Sequence, residues 1–140
     1  MRILALDIGR RKIGIAISDT LGIIAQPFET LIRKEKKTDF ERLKEIVRNM
    51  RVSKIVVGLP LNMNGTAGPK AKEAYNLVER LKEEIEVPVQ LWDERLSTLE
   101  ANRILLQADM SRRKRKRLDD KIAAQLILQS YLNSIDKKLE

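Results

Sequence analysis

Apolar residues in the first third of the chain come in short runs and alternations, not at helical spacing. Ile3, Leu4, Ala5 and Leu6 are consecutive and lead into Asp7 and Gly9, which reads as a buried strand over residues 2–8. Ile13, Ile15 and Ile17 alternate with small residues after a turn rich in Arg and Lys, predicting a second strand over 13–18. A third follows the Leu21-Gly22 turn, over 23–32. Connections this short predict an antiparallel meander. The period then changes: Leu43, Ile46, Val47 and Met50 recur at helical spacing from Thr38, and Thr38 with Glu41 fits a capping box. Residues 54–59 return to a buried strand, and the loop over 60–68 carries Pro, Asn and Gly. Ala74, Leu77, Val78, Leu81 and Ile85 line one face of a second helix, after which Pro88 opens a strand over 89–92. Ser97 and Glu100 form another capping box ahead of a helix with Ala101, Ile104, Leu105 and Ala108 inward. The last helix, 118–133, is expected to turn Ile122, Ala123, Leu126 and Ile127 inward.

The order βββαβαβαα predicts an α/β fold. Alternating strands and helices in the second half imply parallel pairing with right-handed crossovers, hence a five-stranded mixed sheet flanked by helices. No repeat or linker divides the chain, and 140 residues suit a single domain over 1–140.

Composition narrows the chemistry. With no cysteine there is no thiol nucleophile, disulfide framework or Cys-type zinc site. With no histidine there is no Ser-His triad, imidazole base or His-ligated metal. Catalysis must rest on carboxylates, Lys, Arg, Ser, Thr or Tyr, or on a hard cation bound through oxygen. The apolar runs are too short to cross a bilayer and the first residues enter a strand without a signal-peptide core, so no membrane is involved and the expected location is the cytoplasm.

Charge is concentrated. Lys and Arg number 28 against 20 Asp and Glu, a net +8, and six of those positive charges are the uninterrupted tract Arg112, Arg113, Lys114, Arg115, Lys116, Arg117. Such a tract is either a solvated loop or a phosphate-binding arm. The aromatics (Phe28, Phe40, Tyr75, Trp92, Tyr131) are too few for a base-stacking platform, so nucleic-acid binding would rest on phosphate contacts.

Three acids stand out by placement. Asp7 ends the first strand, Glu94 follows the strand over 89–92, and Asp120, beside Asp119, opens the last helix directly after the basic tract. In open α/β sheets ligands gather beyond the carboxyl ends of the strands. Three acids converging there suit Mg²⁺ or Mn²⁺, and two such ions can activate water against a phosphodiester. Each acid also has a plainer role: Asp119 or Asp120 as a helix cap, Glu94 as a surface partner of Arg95. Asp7 is harder to explain so, because an apolar strand would bury its charge unpaired.

Four stretches together carry a resemblance: Leu4-Ala-Leu-Asp7-Ile-Gly9 through Gly14 to Asp19; Val56-Val-Gly58-Leu-Pro60-Leu-Asn62 to Gly65; Asp93-Glu94-Arg95-Leu-Ser97-Thr98; and Asp120 through Ala123-Ala124 to Tyr131-Leu132. In this order, across essentially the whole chain, they resemble the YqgF/RuvX family. The resemblance implies a ribonuclease H-like fold and a metal-dependent nuclease, one that matures the 5′ end of pre-16S ribosomal RNA or resolves Holliday junctions. It implies Asp7, Glu94 and Asp120 as the catalytic and metal-binding set. It selects Asp120 over Asp119 because the family acid stands three residues before the Ala-Ala pair. Ser97-Thr98 replaces the commoner Thr-Thr, and Asn64 a commoner Asp; neither touches the acids.

The neighbouring residues have physical roles to weigh. Arg11 and Arg95 are candidate phosphate clamps, with salt bridges to Asp19 or Asp93 as the alternative. Gly9 and Gly14 allow tight turns or close approach of a phosphate. Pro60, Asn62 and Gly65 form a loop near the site, in which Asn62 is either a substrate contact or a turn residue. The expected partner is nucleic acid, with structured RNA favoured and a DNA junction as the alternative. A junction resolvase needs a homodimer, whereas an RNA-trimming enzyme works as a monomer. Two other readings remain. Asp7-x-Gly9 with Gly14 also resembles the phosphate loop of actin-like ATPases and sugar kinases, but those need about twice this length. A non-catalytic RNA-binding or transcription-associated factor could keep the fold without turnover.

Overall fold

The computed structural model describes residues 2–96 and 120–139, the side chains of 120 and 136–139 excepted. Its strands are β1 (Arg2–Ile8), β2 (Lys12–Ser18), β3 (Ala25–Ile32), β4 (Val52–Leu59) and β5 (Val89–Asp93). The helices are α1 (Lys36–Asn49) between β3 and β4, α2 (Pro69–Glu84) between β4 and β5, and α3 (Asp120–Leu139). The strands form one sheet in the order β3-β2-β1-β4-β5. As expected, β1, β2 and β3 pair antiparallel, while β4 joins β1, and β5 joins β4, in parallel.

Side-chain size on alternate residues decides the layers. Leu4 and Leu6 of β1, Ile13, Ile15 and Ile17 of β2, and Ile55, Val57 and Leu59 of β4 share one face, a broad aliphatic surface. α1 and α2 cover it with Phe40, Leu43, Ile46, Ala71, Ala74, Val78 and Leu81. The other face carries Ala5, Ala16, Ala25 and Val56, small enough for α3 to lie close with Ala124, Ile127, Leu128, Tyr131 and Leu132. Burial of this many aliphatic side chains, each worth about 1.5–3 kcal/mol, drives the assembly.

Polar bonds fix the position of α3. Gln129 accepts the Ala25 N–H at 2.9 Å and donates to the Ile23 carbonyl at 3.1 Å, while Gln125 donates to the Ala25 carbonyl at 3.1 Å. Tyr131 meets Trp92 of β5 edge-on, at 5.4 Å and 81°, and its hydroxyl accepts from Lys54 at 2.6 Å. These ties rotate the helix away from the expected face: Ile127 is buried, but Ile122, Ala123 and Leu126 are only half-buried.

Several element starts also differ from expectation: β2 begins at Lys12 and β4 at Val52, one and two residues early. β3 begins at Ala25, not at residue 23, because Asp19 Oδ1 accepts the N–H groups of Ile23 (2.7 Å) and Ile24 (3.0 Å) and holds them in a turn. The Thr38–Glu41 capping box does not start α1, which begins at Lys36 with Glu35 at the cap and no side-chain cap bond. Thr38 instead donates to the Glu35 carbonyl at 3.0 Å, and Asp39 accepts the Lys34 N–H at 3.3 Å.

Residues 94–96 are already helical, ahead of the expected cap at Ser97. The helix expected after Ser97 and the tract Arg112 to Arg117 lie outside the described residues. Among those described, no helix is long and apolar enough to cross a membrane.

Candidate active site

Parallel pairing of β1, β4 and β5 sends their carboxyl ends to one edge of the sheet. Asp7 and Glu94 meet there. Asp7 stands opposite Gly14 in the β1–β2 register, on the face that carries Ala5 and α3. Leu6 is level with Val57, and Gly58 with Trp92, which brings the end of β5 alongside Asp7. Glu94, the next residue after β5, turns over Gly58. A Cβ at Gly58 would fall 2.6 Å from Glu94 Oε1 and 2.7 Å from Ile127 Cδ1, so the floor beneath the carboxyl has to be glycine.

The two acids are hydrogen-bonded to each other. Burial pushes the Glu94 carboxyl up to about 8, reinforced by its hydrogen bond to Asp7 and by the negative charge of that neighbour. Lys70, near the start of α2, works in the opposite direction. Glu94 is therefore a half-buried acid hydrogen-bonded to Asp7, and Arg95 pairs with Asp93 instead. Two carboxylates brought this close repel each other when ionised, and a hard cation between them removes that cost. The donor set thus fits Mg²⁺ or Mn²⁺. Asp120 begins α3 on the same side of the sheet, and its side chain lies outside the described residues. Among the described residues no group of three acids is assembled.

Arg95 is engaged elsewhere. Its guanidinium donates to Asp93 through Nε (3.0 and 3.1 Å) and Nη2 (2.7 Å), and through Nη1 to the Met63 carbonyl at 3.4 Å. The arginine holds Asp93 below the usual carboxylate range and ties the end of β5 to the 60–68 loop. Arg11 is exposed in the β1–β2 turn. That turn closes with the Gly9 N–H on the Lys12 carbonyl at 2.8 Å, and a Cβ at Gly9 would strike the same oxygen.

The loop residues come to the same edge. Asn62 closes a turn of its own: its N–H donates to the Thr66 carbonyl (2.9 Å), its carbonyl accepts from Gly65 (2.8 Å) and its amide donates to Thr66 Oγ1 (3.0 Å). Gly65 has φ +87°, a backbone state that favours glycine. Pro60 and Asn62, with Ile8, Arg10, Gly68 and Lys70, line a cavity of about 660 Å³ beside the acids.

Three residues escape sequence reasoning: Gly58, Lys70 and Arg10. A glycine inside the buried run Ile-Val-Val-Gly-Leu was the one available signal, since strand glycines often mark a close approach. Lys70 and Arg10 carried none.

Comparison with known proteins follows the same lines. The RuvX family, described as Holliday junction resolvase, matches residues 1–134. A relative from Thermoanaerobacter pseudethanolicus, named "Putative pre-16S rRNA nuclease", is 53% identical over 99% of this chain and 100% of its own length. One of the same name from Clostridium acetobutylicum is 51% identical over 96% and 100%. Among solved structures, T. thermophilus RuvC in complex with Holliday junction substrate superposes with a TM-score of 0.64 at 15% identity, covering 98% of this chain and 96% of that one. The fowlpox virus Holliday junction resolvase superposes with a TM-score of 0.52 at 16% identity, over 96% and 99%. These two likenesses bear out the ribonuclease H-like fold. With one family matched over nearly its whole length and relatives at half identity, the chain belongs to the RuvX family.

Proposed function

We propose that this chain is a divalent-cation-dependent nuclease that hydrolyses phosphodiester bonds in structured RNA, in the 5′-end processing of pre-16S ribosomal RNA. The observation that carries the reading is the meeting of the Asp7 and Glu94 carboxyls over Gly58 at the carboxyl edge of the sheet. The names of relatives identical at half their positions and aligned over their full length supply the substrate. Such a role is cytoplasmic, and one domain over 1–140 suffices for it.

Asp7 and Glu94 would hold Mg²⁺ or Mn²⁺, with Asp120 as the third carboxylate from the head of α3. When bound, such a cation supplies positive charge to the phosphate oxygens and makes water acidic enough to attack phosphorus. The chain's own residues do the rest. Asp7 and Glu94, which would repel each other if both were ionised, would become a ligand pair once a cation balances their charge. Gly58 leaves the space that Glu94 occupies. Arg11, in the exposed turn beside Asp7, meets a flanking phosphate, and the cationic tract over 112–117 adds charge for the nucleic-acid backbone. Arg95 contributes through Asp93 and the 60–68 loop, positioning Glu94 next to it.

The family description favours a second reading, resolution of a four-way DNA junction. A panel of structured RNA, single-stranded RNA and four-way junctions, with Mg²⁺ or Mn²⁺, separates the two. RNA cleavage that Asp7→Asn abolishes is expected. Cleavage that survives Asp7→Asn overturns the acid assignment, junction cleavage alone selects the second reading, and binding without cleavage of any member makes the chain a non-catalytic binder.

A further inference from the structure

A groove runs between the β1–β2 turn, α1 and α2 on the sheet face opposite α3. It encloses about 420 Å³ and adjoins the cavity beside the acids, since Arg10 and Glu73 line both. Six cations border the two spaces: Arg10, Arg33, Lys34, Lys36, Lys70 and Arg80. The acids are two, Asp39 and Glu73. Among the described residues, salt bridges form outside the groove, on Arg42, Lys44 and Arg95.

Two of the guanidinium groups are fixed in place. Arg33 donates from Nη1 to the Gly9 carbonyl at 2.8 Å, and Arg80 lies 5.2 Å over the ring of Phe40. A planar cation held against an aromatic ring exposes its outer face, on which a base can stack. The walls are part apolar, with Ile13, Phe40, Leu43 and Leu77, and Asn76 adds a donor and an acceptor. Each space has the size that takes a drug-like molecule, which admits one strand and not a duplex.

We propose that this groove is a track for one nucleic-acid strand, which leaves the acid pair past Lys70, crosses the β1–β2 turn at Arg10 and lies between α1 and α2 against Arg33, Lys36 and Arg80. The inference rests on the nuclease reading for the strand's origin at Asp7 and Glu94. It adds a phosphate-binding surface on the opposite face of the sheet from α3.

The test reads binding apart from cleavage. In an Asp7→Asn background, the full chain carrying Lys36→Glu and Arg80→Glu is titrated with a labelled single-stranded uridine homopolymer over a range of salt concentrations. A matched control carries Arg48→Glu and Lys82→Glu, exposed cations outside the groove with the same change in net charge. The groove variant is expected to bind roughly tenfold or more weakly, with a salt slope shallower by about 0.7 for each phosphate it no longer neutralises. The control stays within about twofold of the parent. Equal losses in the two variants, or none in the groove variant, overturn the proposal. Displacement of the homopolymer by a polyglutamate peptide as effective as by unlabelled strand overturns the nucleic-acid assignment, and stronger displacement by a duplex overturns the single strand. If no substrate is cleaved but the groove variant still loses affinity, the nuclease reading fails and the track stands.

Discussion

Gly58 and Glu94 occupy one space: a methyl group on Gly58 would lie 2.6 Å from the Glu94 carboxyl oxygen and 2.7 Å from Ile127 Cδ1. Gly58→Ala therefore forces Glu94 or α3 to move. We expect cleavage to fall on the order of 100-fold, the scale of an angstrom-sized misplacement. Stability should drop by only about 1–3 kcal/mol of overpacking. Cleavage rates and thermal melts on the same preparation test this, and a folded variant with unchanged rate would remove Glu94 from the site.

Acid strength at Glu94 predicts a pH dependence. Its ordinary value is 4.5 and the fold raises it to about 8 through burial and the Asp7 carboxylate, so the folded chain holds a proton that the unfolded chain releases. Stability from this group is complete below about 4.5 and is lost as pH climbs through about 8. In chelator-treated protein the melting temperature should fall across that window, and Glu94→Gln should flatten the fall. Adding Mg²⁺ or Mn²⁺ favours the ionised pair, so its stabilising effect should grow with pH. Equal metal stabilisation at both ends of the window would count against Asp7 and Glu94 as ligands.

Gln129 ties α3 to the start of β3 through both ends of its amide. Gln129→Ala leaves the buried Ala25 N–H without its acceptor, at a cost of about 1–3 kcal/mol. Denaturant titration measures this directly, and the loss should appear in cleavage only near the unfolding midpoint.

Replacing Arg112, Arg113, Lys114, Arg115, Lys116 and Arg117 with serine should weaken RNA binding and flatten its salt dependence by about 0.7–0.9 for each phosphate left without a cation. Binding titrations at several salt concentrations decide it. Unchanged affinity at fixed salt would leave the tract a solvated loop.

The sheet was legible because β1 and β4 are continuous apolar runs and β2 alternates Ile with small residues, so each of the five strands appeared near its true place. The placement of Asp7 and Glu94 at strand ends on one edge was legible as well, while the choice between a site role for Glu94 and a surface pair with Arg95 stayed open in the sequence. What stayed hidden depends on side chains folding back. Asp19 takes the backbone donors of Ile23 and Ile24, and that shortens β3 against its hydrophobic pattern. The rotation of α3 could not be read, because apolar residues lie on both its inner face and its flanks; Trp92, Gln125 and Gln129 choose among them. Arg95 was undecided between phosphate and Asp93, and the short Asp93-Glu94-Arg95 turn selects Asp93. Lys70 gave no signal, since its nearness to Glu94 follows from the path of the 60–68 loop.

The last helix of the chain completes the first strands. Its hydrogen bonds with Ala25 join residues 100 and 104 positions apart, and without α3 the face of Ala5, Ala16 and Val56 would stand open to water. Closing such separations is slow and brings no stability until both partners exist. During synthesis, then, β1 emerges from the ribosome early but waits for nearly the whole chain before α3 can cover it. A half-made copy carries a sheet with one face still bare, the kind of surface on which unfinished chains associate.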